Sequence, residues 1–150
     1  MKFKLALLAF FLLIVSCKSK KVEPTFVLID SSKVEAVKKE RAFDLGTRLL
    51  ESCNSSRFKP FSSEEATDRV IQNATLEKIS ATCQKINQRN GKFNFIKLLD
   101  ITYFKSTDEY IFRYKIDYEK KYFKRELSVT IDKDNKVSAI STKEIKPKPL

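Results

Sequence analysis

The chain contains no histidine and no tryptophan, and it has only two glycines, one methionine and three cysteines. Each shortage excludes something. Without histidine, the commonest general base and metal ligand is missing, so no Ser-His or Cys-His pair and no histidine-containing zinc site exists. Three cysteines are too few for a four-cysteine site. No apolar run reaches the roughly 20 residues that a transmembrane helix needs. Internal repeats are absent, and so is low-complexity sequence apart from the "KPKP" near the C-terminus. No cofactor is implied.

What is present begins with "KFKLALLAFFLLIVSCKSKK". Lys2 and Lys4 precede an unbroken apolar run from Leu5 to Val15, the charge and hydropathy profile of an export signal. The run closes on Ile14-Val15-Ser16-Cys17. That order of two apolar residues, a small residue and cysteine resembles the lipobox of bacterial lipoprotein signals. The resemblance spans about the first 21 residues. It implies that the Cys17 thiol receives a diacylglycerol and that cleavage removes residues 1–16, leaving Cys17 as the acylated first residue. Each buried CH₂ contributes about 0.8 kcal/mol, so two or three chains anchor a protein stably where one does not. The alternative is a plain signal peptide with an incidental cysteine. Lys18, Lys20 and Lys21 then read either as a solvated tether or as a basic segment attracted to anionic head groups. Lys18 occupies the position where an aspartate would retain the protein at the inner membrane of some bacteria, which favours the outer membrane where there is one.

Removing residues 1–16 takes away two lysines, leaving 28 Lys and Arg against 19 Asp and Glu, a charge of +9. Such a balance points to anionic partners or surfaces. For an exported lipoprotein these are membrane lipids and envelope polymers, and nucleic acid is not expected. Cys53 and Cys83 form an even pair that an oxidising compartment would bridge. Each also lies on the apolar stripe of a predicted helix, so two buried free thiols are the alternative.

The pattern along the chain predicts a tether over 17–31, an α+β domain over 32–145 and a tail over 146–150. Within the tether, "TFVLID" is a short apolar piece able to pair or dock. Ser32 to Glu35 is a capping-box pattern opening a helix to about Cys53, with the stripe Ala42, Leu45, Leu49, Leu50 and Cys53. Gly46 inside this helix suggests close packing. A second box, Ser62 to Glu65, opens a short helix through Ala66, Val70 and Ile71. Thr75 caps a third with the stripe Leu76, Ile79, Cys83 and Ile86, ended by Gly91. From Lys92 the period changes to alternation. Strands are expected at about 93–104, 109–118, 122–131 and 137–144, with short turns that make them an antiparallel meander.

The apolar pattern registers the central hairpin, since a slip of one residue would turn every side chain over. It pairs Tyr118 with Phe123, Ile116 with Arg125, Tyr114 with Leu127, Phe112 with Val129 and Tyr110 with Ile131. The other face then pairs Lys115 with Glu126 and Asp117 with Lys124. Continuing the alternation places Phe95, Lys97, Leu99, Ile101 and Tyr103, and Val137, Ala139, Ser141 and Lys143, on the inner face. One row stands out: Lys97, Ile116, Arg125 and Lys143. Buried unpaired cations are expensive. The row therefore either reaches water at a rim or meets an anion. In the second case Lys97, Tyr110, Tyr114, Tyr118, Arg125 and Lys143 line a cleft for an anionic amphipathic ligand. Asp100, Asp117 and Glu126 point outward on this register, so the inner face offers no carboxylate for acid–base chemistry and an enzyme is not expected.

Three N-terminal helices packed on a curled four-stranded antiparallel sheet with an aromatic inner face resemble the nuclear transport factor 2-like (cystatin-related) cone fold. The resemblance covers about residues 34–144 and rests on element order. It implies a small envelope lipoprotein; enzymes of that fold keep a catalytic Asp and a Tyr in the cone, and because the strand acids here point outward the domain is expected to bind a ligand or an envelope protein without catalysis. An inhibitor or immunity-type lipoprotein capping an external enzyme or toxin is the alternative, followed by a cone-fold enzyme acting on a small apolar substrate.

Overall fold

The computed structural model describes residues 25–146. Cys17, the export signal, most of the tether and the last four residues lie outside that range. The elements are β1 (Phe26–Ile29), a 3₁₀ turn (Ser31–Lys33), α1 (Ala36–Ser55), α2 (Asp68–Asn73), α3 (Leu76–Asn90), β2 (Phe93–Phe104), β3 (Glu109–Tyr118), β4 (Lys124–Ile131) and β5 (Val137–Ile145). The five strands form one antiparallel sheet in chain order. The fold is α+β, with the helices packed on one face of a curled sheet.

The sheet has five strands, not the four expected, and the helices do not all precede it. The apolar piece in the tether is β1: it pairs with the far end of β2, Ile29 opposite Ile101 and Val27 opposite Tyr103. The sheet therefore begins inside the segment read as tether, and the helices connect β1 to β2.

Helix starts also differ from expectation. Asp30 accepts from the Ser32 amide and caps the 3₁₀ turn, and α1 begins only after Glu35. Ser32 and Glu35 thus make no capping box. At the second box, the Glu65 carboxylate does accept from the Ser62 amide, but the segment stays a turn and α2 starts after Thr67. Glu65 is engaged elsewhere: it receives a two-pronged Arg48 contact from α1, at 2.6 and 3.1 Å. Thr75 caps α3 as its sequence suggests, and Gly91 follows with a positive φ of 73°.

The central hairpin register is the one that the apolar pattern dictates, from Tyr110–Ile131 to Ile116–Arg125. Phe112, Leu127, Val129 and Ile131 on its inner face are fully buried. Helix α1 lies directly on them through Ala42, Leu45 and Leu50. A Cβ at Gly46 would come within 2.6 Å of Leu127 Cδ2, so the missing side chain is what lets this helix approach the sheet. Buried apolar side chains of this size each contribute about 1.5–3 kcal/mol.

The strands flanking the central hairpin, β2 and β5, depart from simple alternation. In β2 the register shifts between Phe93 and Phe95 and again between Leu98 and Asp100, and in β5 between Thr130–Ala139 and Ile131–Val137. Each shift inserts one unpaired residue, which bends the strand and reverses its parity beyond that point. Ile96, Leu98 and Ile101 consequently face the helices, whereas Phe95 and Leu99 are exposed. Ile140, Thr142 and Glu144 face inward, while Ala139, Ser141 and Lys143 face outward.

Candidate functional site

The shifts dissolve the expected cationic row. Tyr110, Tyr114, Tyr118 and Arg125 share the inner face, but Lys97 is opposite Lys115 and Lys143 is opposite Glu126 on the outer one. Arg125 instead has Glu144 as its cross-strand neighbour. Its guanidinium donates to the Thr142 hydroxyl at 3.0 Å and lies 3.8 Å from the Glu144 carboxylate, which Arg89 of α3 reaches at 3.1 Å. The inner face therefore does carry a carboxylate, contrary to expectation, and two arginines hold it.

The aromatic residues do not wall a cleft, because α1 fills that space. Tyr114 is buried against the edge of Phe43, and Tyr118 is buried against Phe93. Burial raises the phenol pKa of both, with the Arg125 charge partly opposing the rise at Tyr118. Tyr110 is raised by burial too; its ring stacks on Tyr103 and carries the Lys38 ammonium 5.6 Å above it. These phenols stay protonated at neutral pH and act as packing groups. Lys38 is itself buried; it donates to the Asn135 side chain at 2.6 Å and fastens α1 to the β4–β5 turn.

Open space lies beside α1 instead. A cavity of about 410 Å³ sits between the second half of α1, α2, α3 and the free edge of β5. Its floor is apolar, built from Leu49, Val70, Ile79, Ile86 and Ile140, with the bonded Cys53–Cys83 pair between α1 and α3. The rim is cationic, with Arg69 on α2 and Lys78 on α3. Lys78 donates to the Gln72 carbonyl and the Asn73 side chain, and Arg69 makes no ion pair among the described residues. No carboxylate lines the cavity. At the β5 side it reaches Thr142, the residue that Arg125 holds from behind. A second space of about 320 Å³, across the Cys53–Cys83 bridge, is lined by uncharged residues including Phe58, Leu76 and Asn87.

Two features fix this geometry. The bridge ties the end of α1 to the middle of α3 across 30 residues of chain. The 62–67 segment closes the other end: Ala66 bridges Val137, the Thr67 amide donates to the Val137 carbonyl and the Val137 amide to the Glu65 carbonyl. Beyond Val137 no strand pairs with the free side of β5 among the described residues.

Arg69, Lys78 and Ile140 were not legible as site residues. Arg69 and Lys78 come from two helices separated by the break at residues 74–75 and read locally as ordinary surface cations; only the packing against β5 sets them on one rim. Among the described residues there is no group of His, Cys, Asp or Glu placed to hold a metal ion, and no helix long and apolar enough to cross a membrane. Comparison with protein families, curated proteins and solved structures found no match.

Proposed function

We propose that the protein is a lipid-anchored bacterial envelope lipoprotein whose domain is a non-catalytic binding module for an amphipathic anion, taken up in the cavity between the helices and β5. One observation carries the ligand class: an apolar cavity of about 410 Å³ has two cations and no carboxylate on its lining. Small-molecule sites are concave, mostly apolar and of roughly 300–1,000 Å³, with a few polar groups that orient the ligand. An acyl or other apolar chain would lie along Ile79, Ile86 and Ile140, and a carboxylate or phosphate would meet Arg69 and Lys78. Anchorage through Cys17 rests on the lipobox resemblance, and the outer membrane is the favoured location where there is one. The cone-fold resemblance belongs to the same proposal: helices on a curled antiparallel sheet support it, although β1 precedes the helices, and the ligand space is moved from the sheet centre to the β5 edge.

A fluorescent dansyl-labelled undecanoic acid tests the reading. It should bind saturably and be displaced by unlabelled long-chain fatty acid. Reversing both rim charges, with Arg69→Glu and Lys78→Glu, should weaken binding about tenfold or more, the equivalent of about 1.4 kcal/mol. Ile140→Trp, which fills the floor, should abolish it. Absence of saturable binding, or unchanged binding in both variants, would reject the cavity as the site.

The open edge of β5 favours one second reading. An extended segment of an envelope protein would add to that edge as a sixth strand, as an inhibitor or immunity-type lipoprotein requires. Co-purification of a stoichiometric protein partner, lost on Ser141→Pro, would distinguish it from a small-molecule binder.

A further inference from the structure

The outer face of the sheet is opposite the helices and carries an unusual combination of groups. Phe26, Leu28, Phe95 and Leu99 are 54%, 73%, 57% and 45% exposed, and all four belong to β1 or β2 on this face or at its bulge. Lys97 and Lys115 stand directly opposite each other among them, an arrangement that repels. Three of the four carboxylates of this face are hydrogen-bonded: Arg113 holds Asp100, Lys121 holds Asp117, and Ser138 donates to Glu109. The fourth, Glu126, lies opposite Lys115 and Lys143, is 3.7 Å from Arg113, and has a buried Oε2 without a hydrogen bond. Lys97, Lys115, Lys124 and Lys143 make no ion pair among the described residues, so the face presents surplus positive charge beside bare aromatic and aliphatic groups.

The chain enters the fold at this same edge. Only seven residues, and so eight Cα-to-Cα steps, separate Cys17 from Thr25, which precedes β1. At no more than about 3.6 Å per residue, that span reaches at most about 29 Å. We infer that the outer face of the sheet lies on an anionic phospholipid bilayer, with Phe26, Leu28 and Leu99 at the acyl boundary and Lys97 and Lys115 on the head groups. Basic side chains beside exposed apolar ones suit such an interface, and the anionic surface relieves the repulsion between the two lysines. This inference rests on the Cys17 anchor proposed above.

The absence of tryptophan provides the test, because Leu28→Trp adds a single reporter at an exposed position. The full chain, purified from membranes, is reconstituted into vesicles of phosphatidylcholine with phosphatidylglycerol, and into phosphatidylcholine alone. Emission from the Leu28→Trp variant should shift to the blue and be quenched by brominated acyl chains in the anionic vesicles. Lys97→Glu with Lys115→Glu should return it to a water-like spectrum. A control at Phe43→Trp, exposed on the helical side, should stay water-like in both. A water-like Leu28→Trp spectrum in anionic vesicles, with unchanged far-ultraviolet circular dichroism, overturns the inference and leaves this face for a protein partner. So does an equal shift at Phe43→Trp, or indifference to the double lysine reversal. Acyl mass on Cys17, read on the same sample, separates failure of the anchor from failure of the docking.

Discussion

Replacing both Cys53 and Cys83 with alanine should loosen the domain and the cavity together. The bridge joins residues 30 apart. Removing a cross-link over a loop of that length frees unfolded-state entropy of about 3–4 kcal/mol at room temperature. A domain of this size loses about 3–5 °C of melting temperature per kcal/mol, so the double variant should melt about 10–15 °C lower. Wild-type protein under reductant should fall by the same amount, while reductant should leave the variant unchanged. Function should suffer beyond stability, since the bridge is the link between the walls that α1 and α3 give to both cavities. Below its melting range, the variant should bind the dansyl fatty acid several-fold more weakly with a faster off-rate. Scanning calorimetry with and without reductant reads the first effect and stopped-flow fluorescence the second. A variant that melts within about 2 °C of wild type would refute the argument, because it would mean that packing of α3 alone holds the cavity wall.

Three further outcomes follow from single contacts. The Arg48 hydrogen bonds, aided by the Ser62 amide, hold the Glu65 carboxyl down to about 2 from its ordinary value of 4.5. Its contribution is therefore complete above about pH 4.5 and is lost as pH falls toward 2; discounted for partial exposure it is about 1–2 kcal/mol. Acid titration followed by circular dichroism should show that loss, and Glu65→Gln should be less stable at neutral pH and flatter across the same window. Gly46→Ala should destabilise by about 1–2 kcal/mol in urea, because strain against the fully buried Leu127 outweighs the roughly 1 kcal/mol gain in helix propensity. Lys38→Met keeps most of the apolar stem but abandons Asn135; a drop of about 1–2 kcal/mol is expected, and an increase in stability would show that the buried ammonium is a net cost.

The sequence made some parts of this fold readable and hid others for definable reasons. In β3 and β4 both faces are constrained, mostly apolar inside and with Lys115 set opposite Glu126 outside, so only one register satisfies both. In β2 the consecutive Leu98 and Leu99 accommodate the bulge: one leucine turns inward, the next is left exposed, and alternation resumes one residue out of step. Ser138 is the unpaired residue in β5, and nothing in "KVSAIST" marks it. These two residues move Lys97 and Lys143 from the expected inner row to the outer face and bring Glu144 to Arg125. The cavity was less legible still. Its walls come from four elements, and its two cations reside on different helices, so no local pattern announces it. The cation row that did draw attention pointed to an anionic ligand, but the bulges carry its two lysines, Lys97 and Lys143, to the outer face, and Arg125 stays behind the cavity wall at Thr142.

The domain owes its proposed role to where it is held. Intact-mass spectrometry of the protein extracted from bacterial membranes in mild detergent tests that most directly. The account predicts a chain beginning at Cys17 and heavier than its amino acids by a diacylglycerol with or without a further acyl group. A chain that begins elsewhere, carries no acyl mass and is recovered from the aqueous fraction would contradict it.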